Sequence, residues 1–157
     1  MKQGRWQIIL AAALVVSVSG ASTATGWRLV GWNNLGMHCM DAQFSVFAIL
    51  PPYNTVWAQV VKRGDPPQVI TSGVTVEYSF PDNTYSVGKT NFWDYAQKLF
   101  GVNLAPNIGL TGKGLAGVMD AASNHFVAEG IPITEFSDSN LSVPDYYQMA
   151  RLVAKDA

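Results

Sequence analysis

Residues 56–80 read VWAQVVKRGDPPQVITSGVTVEYSF, and β-branched and aromatic residues dominate both halves of this stretch. Such residues favour strands, so the sequence predicts strands at Val56–Val61 and Val69–Phe80. Residues 63–67 between them, RGDPP, combine glycine, aspartate and proline in a way that is typical of a turn. We therefore expect the two strands to pair as a hairpin.

Shorter strands are predicted on both sides of this hairpin. The first is Trp27–Trp32, ended by the asparagine pair at positions 33–34. Later strands are predicted at His125–Val127 and Ile131–Phe136, separated by a turn at positions 129–130. Five to seven short strands without an internal repeat predict a mainly β, sandwich-like domain of the Ig-like kind.

One short helix is predicted near residues 91–100. Asn91 is placed to cap its free amides, Asp94 suits the positive end of the helix dipole, and Gly101 suits a C-terminal cap. Residues 101–117 are rich in Gly, Asn and Pro and therefore predict a long surface loop.

Two segments fit either a helix or a strand. Phe44–Leu50 is apolar and follows Asp41, which suits a helix cap, yet its alternate residues would also share one strand face. Near the C-terminus, Ser142 begins a pattern that resembles a capping box, whereas alternate residues from Tyr147 to Val153 would share one face of a strand.

The first 24 residues have the pattern of a secretory signal peptide. Lys2 and Arg5 precede the apolar segment Ile8–Val18, and the small residues at 22–24 suit cleavage after Ala24, with cleavage after Ala21 as the alternative. We predict one periplasmic or extracellular domain over residues 25–157, with no later membrane span. Removing the two cations from the 10 basic residues leaves 8 against 11 acidic ones, so the formal charge changes from −1 to −3. This balance argues against nucleic acid as a partner.

Residues 37–41, MHCMD, hold the single cysteine and one of the two histidines of the chain. Thiol and thioether sulfurs are soft donors and imidazole suits several transition metals, so copper is the preferred ion. Ligation would also protect an exported thiol from oxidation. The predicted metal ligands are Met37, His38, Cys39, Met40 and His125.

Three kinds of metal site use these donors differently. A blue-copper site would combine both histidines and the cysteine with an axial methionine such as Met119, but neighbouring residues of an extended strand point to opposite faces. A looser copper(I) site built mainly from the sulfur donors requires fewer distant residues, and we prefer it. A zinc site would add Asp41 or Asp120.

Two alternatives involve no metal. Cys39 would act as a nucleophile in a thiol-dependent hydrolase, with His125 as its base. The residue that orients this base would then be Asn124, Asp120 or Asp138. In the other alternative, Cys39 is buried and inert, and the domain is a structural or interaction module. We favour a non-enzymatic function because no local signature of a catalytic cysteine surrounds Cys39.

Three stretches of the chain together resemble a family of poorly characterised exported bacterial proteins. They are LVGWNNLGMHCMDAQFSVFAILPPYNTVWAQVV at Leu29–Val61, GKTNFWDY at Gly88–Tyr95 and AEGIPIT at Ala128–Thr134. Longer members of that family carry CxxCH haem-attachment motifs further on, which implies a periplasmic redox setting and a redox or cytochrome-type partner. This chain has no CxxCH motif, so we expect no covalent haem on it. The resemblance also implies that residues 25–157 are the N-terminal part of a longer architecture.

Overall fold

Two antiparallel sheets form the framework of the computed structural model, which describes residues 26–35, 54–145 and 147–156. Within these ranges the elements are β1 Trp27–Leu35, β2 Asn54–Lys62, β3 Gln68–Ile70, β4 Val74–Ser79, α1 Phe92–Phe100, β5 Ala116–Val118, β6 Asp120–Ala121, β7 Phe126–Ile131 and β8 Arg151–Asp156. The larger sheet has the order β1-β2-β7-β6, with β3 beside β2, and the smaller sheet has the order β5-β4-β8.

The core lies between these sheets because each contributes one apolar face. In β2, Val56, Ala58 and Val60 are buried at alternate positions, as expected for a strand with one face in the core. In β4, Val76 and Tyr78 are buried in the same way and belong to the same core cluster. The mainly β, sandwich-like fold predicted from the sequence is confirmed.

The predicted strand Val69–Phe80 is two strands, and they belong to different sheets. The shorter one, β3, pairs with β2, so the expected hairpin forms over residues 60–70. Gly73 then adopts a left-handed conformation with φ of +70°, which breaks the strand. Beyond this break, β4 pairs with β5 and β8 in the smaller sheet.

The predicted turn at residues 129–130 is instead a bulge inside β7. Asn54 pairs with Ile131 and Val56 pairs with Ala128, so Glu129 and Gly130 together oppose one residue of β2. Gly130 has a φ of +71°, which suits the left-handed position of a bulge. The predicted strand beyond Ile131 is also wrong, since the Ile133 amide donates to the Ile131 carbonyl in a tight turn, 2.9 Å long.

The predicted helix is confirmed as α1. Gly101 ends it in a left-handed conformation and donates its N–H to the Gln97 carbonyl at 2.8 Å. Asn91 precedes it but makes no side-chain capping bond. The helix buries only Phe92 and Ala96, so its predicted apolar face is partly exposed to solvent.

The remaining predictions differ from the structure at their boundaries. β1 continues through the asparagine pair to Leu35, with a register shift after Asn33. The predicted loop after Gly101 ends at Ala116, where β5 begins. The last segment is a strand, although it begins only at Arg151, and the ambiguous segment 44–50 lies outside the described residues. No described helix is long and apolar enough to cross a membrane.

Candidate functional site

The structure describes only one of the five predicted metal ligands. Met37, His38, Cys39 and Met40 lie outside the described residues, whereas His125 lies within them. The strands that flank residues 36–53 are neighbours, since Leu35 at the end of β1 pairs with Thr55 of β2. We call residues 36–53, which include the Met37–Met40 cluster, the sulfur-rich segment. The chain therefore leaves the larger sheet before this segment and rejoins it afterwards at the same end of the β1–β2 pair.

His125 lies in the turn that connects β6 to β7, directly before β7 begins. The Ala122 amide donates to the His125 carbonyl at 2.8 Å, which closes the turn between the two strands. The imidazole stacks on Trp57, with 4.0 Å between ring centroids and 23° between planes. Trp57 alternates with buried residues of β2 and therefore belongs to the outer face of the larger sheet.

Trp32 extends this arrangement onto the edge strand. It pairs with Trp57 in the β1–β2 ladder, and the two rings meet edge to face at 6.1 Å and 66°. Two rings from β1 and β2 and the ring of His125, which directly precedes β7, thus form one line across the outer face. We call Trp32, Trp57 and His125 the aromatic row.

The orientation of the His125 ring is fixed by Asn124. Nδ1 of His125 lies 2.9 Å from Oδ1 of Asn124, within hydrogen-bond distance of an atom that can only accept. Gln59 holds the turn in place by donating to the Asn124 carbonyl at 2.9 Å. Nε2 makes no hydrogen bond to a described residue. A hydrogen bond at the other ring nitrogen is the usual way to orient a metal-binding or general-base histidine.

The register that pairs Phe126 with Ala58 places His125 beside Gln59, four residues along β2 from Thr55, or about 13 Å at the rise of a strand. The His125 ring reaches back from there over Trp57. Trp57, beneath the ring, is two residues along β2 from Thr55, a distance of about 7 Å at the rise of a strand. Leu35 is the partner of Thr55, and Met37 follows two residues later. A site that joins His125 to residues 37–40 therefore requires the segment after Leu35 to turn back over the outer face.

The other described residues that were proposed as ligands or orienting residues are engaged elsewhere, and Asp41 lies outside the described residues. Asp120 pairs with Lys113 at 2.9 Å, and Asp138 pairs with Lys89 at 2.6 Å, so Asn124 is the candidate orienter that contacts His125. Met119 is buried in the core, on the opposite side of the sheet from the aromatic row, which disfavours its use as an axial ligand beside His125. Among the described residues, no three His, Cys, Asp or Glu side chains converge to hold a metal ion.

A cleft of about 290 Å³ lies between β1, an edge strand of the larger sheet, and β8, an edge strand of the smaller sheet. Its wall includes Leu35 and Asn54, the two residues that flank the sulfur-rich segment, together with Phe80 and Met149. Gly31 of β1 lies against the Leu152 side chain of β8, which brings the two edges together. The sequence contained no local sign of this cleft because β1 and β8 are far apart along the chain.

Sequence reasoning also missed a buried polar network around Lys89, whose side chain is 0 % exposed. Its ammonium donates to Asp138 at 2.6 Å, to the Phe136 carbonyl at 2.9 Å and to Oδ1 of Asn83 at 3.1 Å. Burial raises the pKa of Asp138, but hydrogen bonds from Lys89 and Thr84 outweigh it and hold that pKa below its usual value. All three ammonium protons are used, so this network has a structural role.

Comparison with known proteins gave no match to a family model, a curated protein or a solved structure. The resemblance to the exported bacterial family therefore stays a prediction. The proposed function is therefore based on the geometry of the described residues.

Proposed function

We propose that this protein is an exported, non-enzymatic domain that binds copper(I) through the Met37-His38-Cys39-Met40 cluster, with His125 as a further ligand. The observation that supports this most is the state of His125. Its Nδ1 is bonded to Asn124 and its Nε2 makes no hydrogen bond to a described residue, so one nitrogen remains for a metal on the outer face. A periplasmic redox assembly with a cytochrome-type partner is the proposed setting.

Copper(I) is favoured over zinc because of the available donors. Zinc in proteins usually takes four nitrogen, thiolate or carboxylate ligands. Asp120, one of the two carboxylates considered for zinc, is already paired with Lys113. Thioethers bind copper(I) well but are not usual zinc ligands, so Met37 and Met40 contribute only in the copper site.

The experiment is to secrete the protein with its own signal peptide, purify it without chelator or histidine tag, and measure bound copper and zinc per chain. We expect close to one copper per chain, and its loss in Cys39→Ser. The double variant Met37→Leu/Met40→Leu should bind copper(I) more weakly in competition with a chromophoric chelator. Met149→Leu is the matched control, since Met149 is exposed in the cleft wall and is not a proposed ligand. A folded protein that takes up no copper would overturn the proposal.

A second candidate function, thiol-dependent hydrolysis, is favoured by one specific contact. Asn124 orients His125 in the way that an asparagine orients the histidine of a Cys-His-Asn site. This candidate predicts rapid alkylation of Cys39 in the folded, metal-free protein, slowed by His125→Gln. Alkylation no faster than that of an ordinary thiol would exclude it and leave the copper proposal intact.

A further inference from the structure

We propose that Asn140 is an asparagine-linked glycosylation site. The stretch Asn140-Leu141-Ser142 has the acceptor pattern for this modification, which is an asparagine followed two residues later by serine or threonine, with no proline between them. The pattern occurs once in the chain. The sugar would come from a polyprenyl-diphosphate-linked oligosaccharide through a separate transferase. This proposal goes beyond metal binding and shares with the proposed function only the export of the chain.

The first support is the position of this stretch in the fold. Asn140, Leu141 and Ser142 are all exposed, in the irregular segment between β7 and β8. The Asn140 amide donates to the Ser137 carbonyl at 3.4 Å, which closes a turn directly before the acceptor pattern. An attached glycan is bulky and hydrated, so it requires an acceptor on an exposed loop. The structure places Asn140 on such a loop.

The second support is the hydrogen bonding of the Asn140 side chain. Its Oδ1 accepts the backbone N–H of Ser142 at 2.9 Å and the backbone N–H of Val143 at 3.1 Å. Because both partners are donors, the side-chain atom that faces them is the oxygen. Nδ2, the atom that would carry the glycan, makes no hydrogen bond to a described residue. A glycan on Nδ2 therefore leaves both bonds of this local turn intact.

The transfer joins Nδ2 of Asn140 to the anomeric carbon of the first sugar. The bond between that carbon and the diphosphate oxygen of the donor breaks, and the polyprenyl diphosphate leaves with the electron pair. Nδ2 gives one of its two protons to a base of the transferase. The hydroxyl of Ser142 is the group that distinguishes this asparagine for the transferase, and it makes no hydrogen bond to a described residue.

The chain contains a matched control for this site. Asn103-Leu104-Ala105 has the same first two residues, but alanine takes the place of the serine. Asn103 is also exposed. Exposure and a following leucine are therefore common to both asparagines, and only Asn140 has the hydroxyl group two residues later.

The test is to secrete the protein with its own signal peptide from a bacterial host that makes a lipid-linked oligosaccharide and its transferase. The intact mass of the mature chain should increase by one oligosaccharide, and peptide mapping should place it on Asn140. Ser142→Ala should lose the added mass, whereas Ser142→Thr and Asn103→Gln should keep it. Ser142→Ala retains the backbone N–H groups that bond to Oδ1, so its thermal unfolding should match that of the unglycosylated parent.

A mature chain without the added mass would overturn the proposal. A glycan that persists in Ser142→Ala, or that maps to another residue, would also overturn it. The same spectrum shows whether the signal peptide has been removed, and an unprocessed chain would refute the export on which the proposal rests. Copper content is a separate measurement. A glycosylated protein without copper would therefore refute only the proposed metal site, and a copper protein without the glycan would refute only the site at Asn140.

Discussion

The Lys89 network and the aromatic row differ in whether their polar atoms already have hydrogen-bond partners. Around Lys89, buried Asn83 and Thr134 have hydrogen-bond partners, and no buried side-chain polar atom of the described residues lacks one. Along the aromatic row, by contrast, Trp32 is exposed and Nε2 of His125 makes no hydrogen bond to a described residue. A satisfied network stabilises the fold but has no capacity left for a ligand. The aromatic row has that capacity, so function is expected there.

The largest effect that would test this contrast is the loss of the Lys89 ion pair. Asp138→Ala leaves a fully buried ammonium without its counter-charge, so the free energy of unfolding should fall by about 3 kcal/mol. Asp120→Ala is the matched control, because it also removes a lysine partner but Asp120 is 67 % exposed. That control should cost less than about 1 kcal/mol. Urea denaturation of both variants measures the difference, and equal losses would show that the Lys89 region has no special structural role.

A smaller effect is expected at the bulge in β7, near the end of the β2–β7 pair. Gly130→Ala places a side chain at a φ of +71°, which should cost roughly 1–2 kcal/mol of stability. Gly26→Ala is the control, since no atom lies within 4 Å of the added carbon at that position. The comparison is made by thermal or urea unfolding. If the two variants were equally stable, the bulge at Gly130 would not depend on the left-handed conformation.

The smallest effect concerns the pH dependence of the Lys89 region. The pKa of Asp138 is lower in the folded protein than in the unfolded chain, so its contribution to stability is present above the ordinary value of 3.8 and is lost as the pH falls through the folded value. Asp138→Asn should therefore be less stable than the parent at neutral pH, and the two should converge in acid. Urea midpoints measured across this range test the sign, and a gap that widens in acid would contradict it.

The sequence predicted the elements that local chemistry controls. The β2–β3 hairpin and α1 were predicted because the RGDPP turn and the Gly101 cap are local features. The error at Gly130 has a physical reason, since a glycine in the left-handed conformation suits a turn and a bulge equally. Only the pairing with β2, in which two residues oppose one, distinguishes them.

The candidate site was predicted less completely because it is assembled from distant residues. His125 was predicted as a ligand, but its stacking on Trp57 and the contact of Trp57 with Trp32 depend on strand pairing that the sequence does not encode locally. Lys89 illustrates the same limit, since a lysine is normally expected at the surface. Its burial depends on Asn83 and Asp138, which come from separate loops.

The most direct test of the account is X-ray absorption at the copper edge of the copper(I)-loaded mature protein, compared with Cys39→Ser and His125→Gln. The account predicts a first coordination shell dominated by sulfur with a contribution from imidazole nitrogen. Sulfur scattering should decrease in Cys39→Ser, and nitrogen scattering should decrease in His125→Gln. A first shell of nitrogen and oxygen alone, unchanged in both variants, would contradict metal binding by the Met37–Met40 cluster.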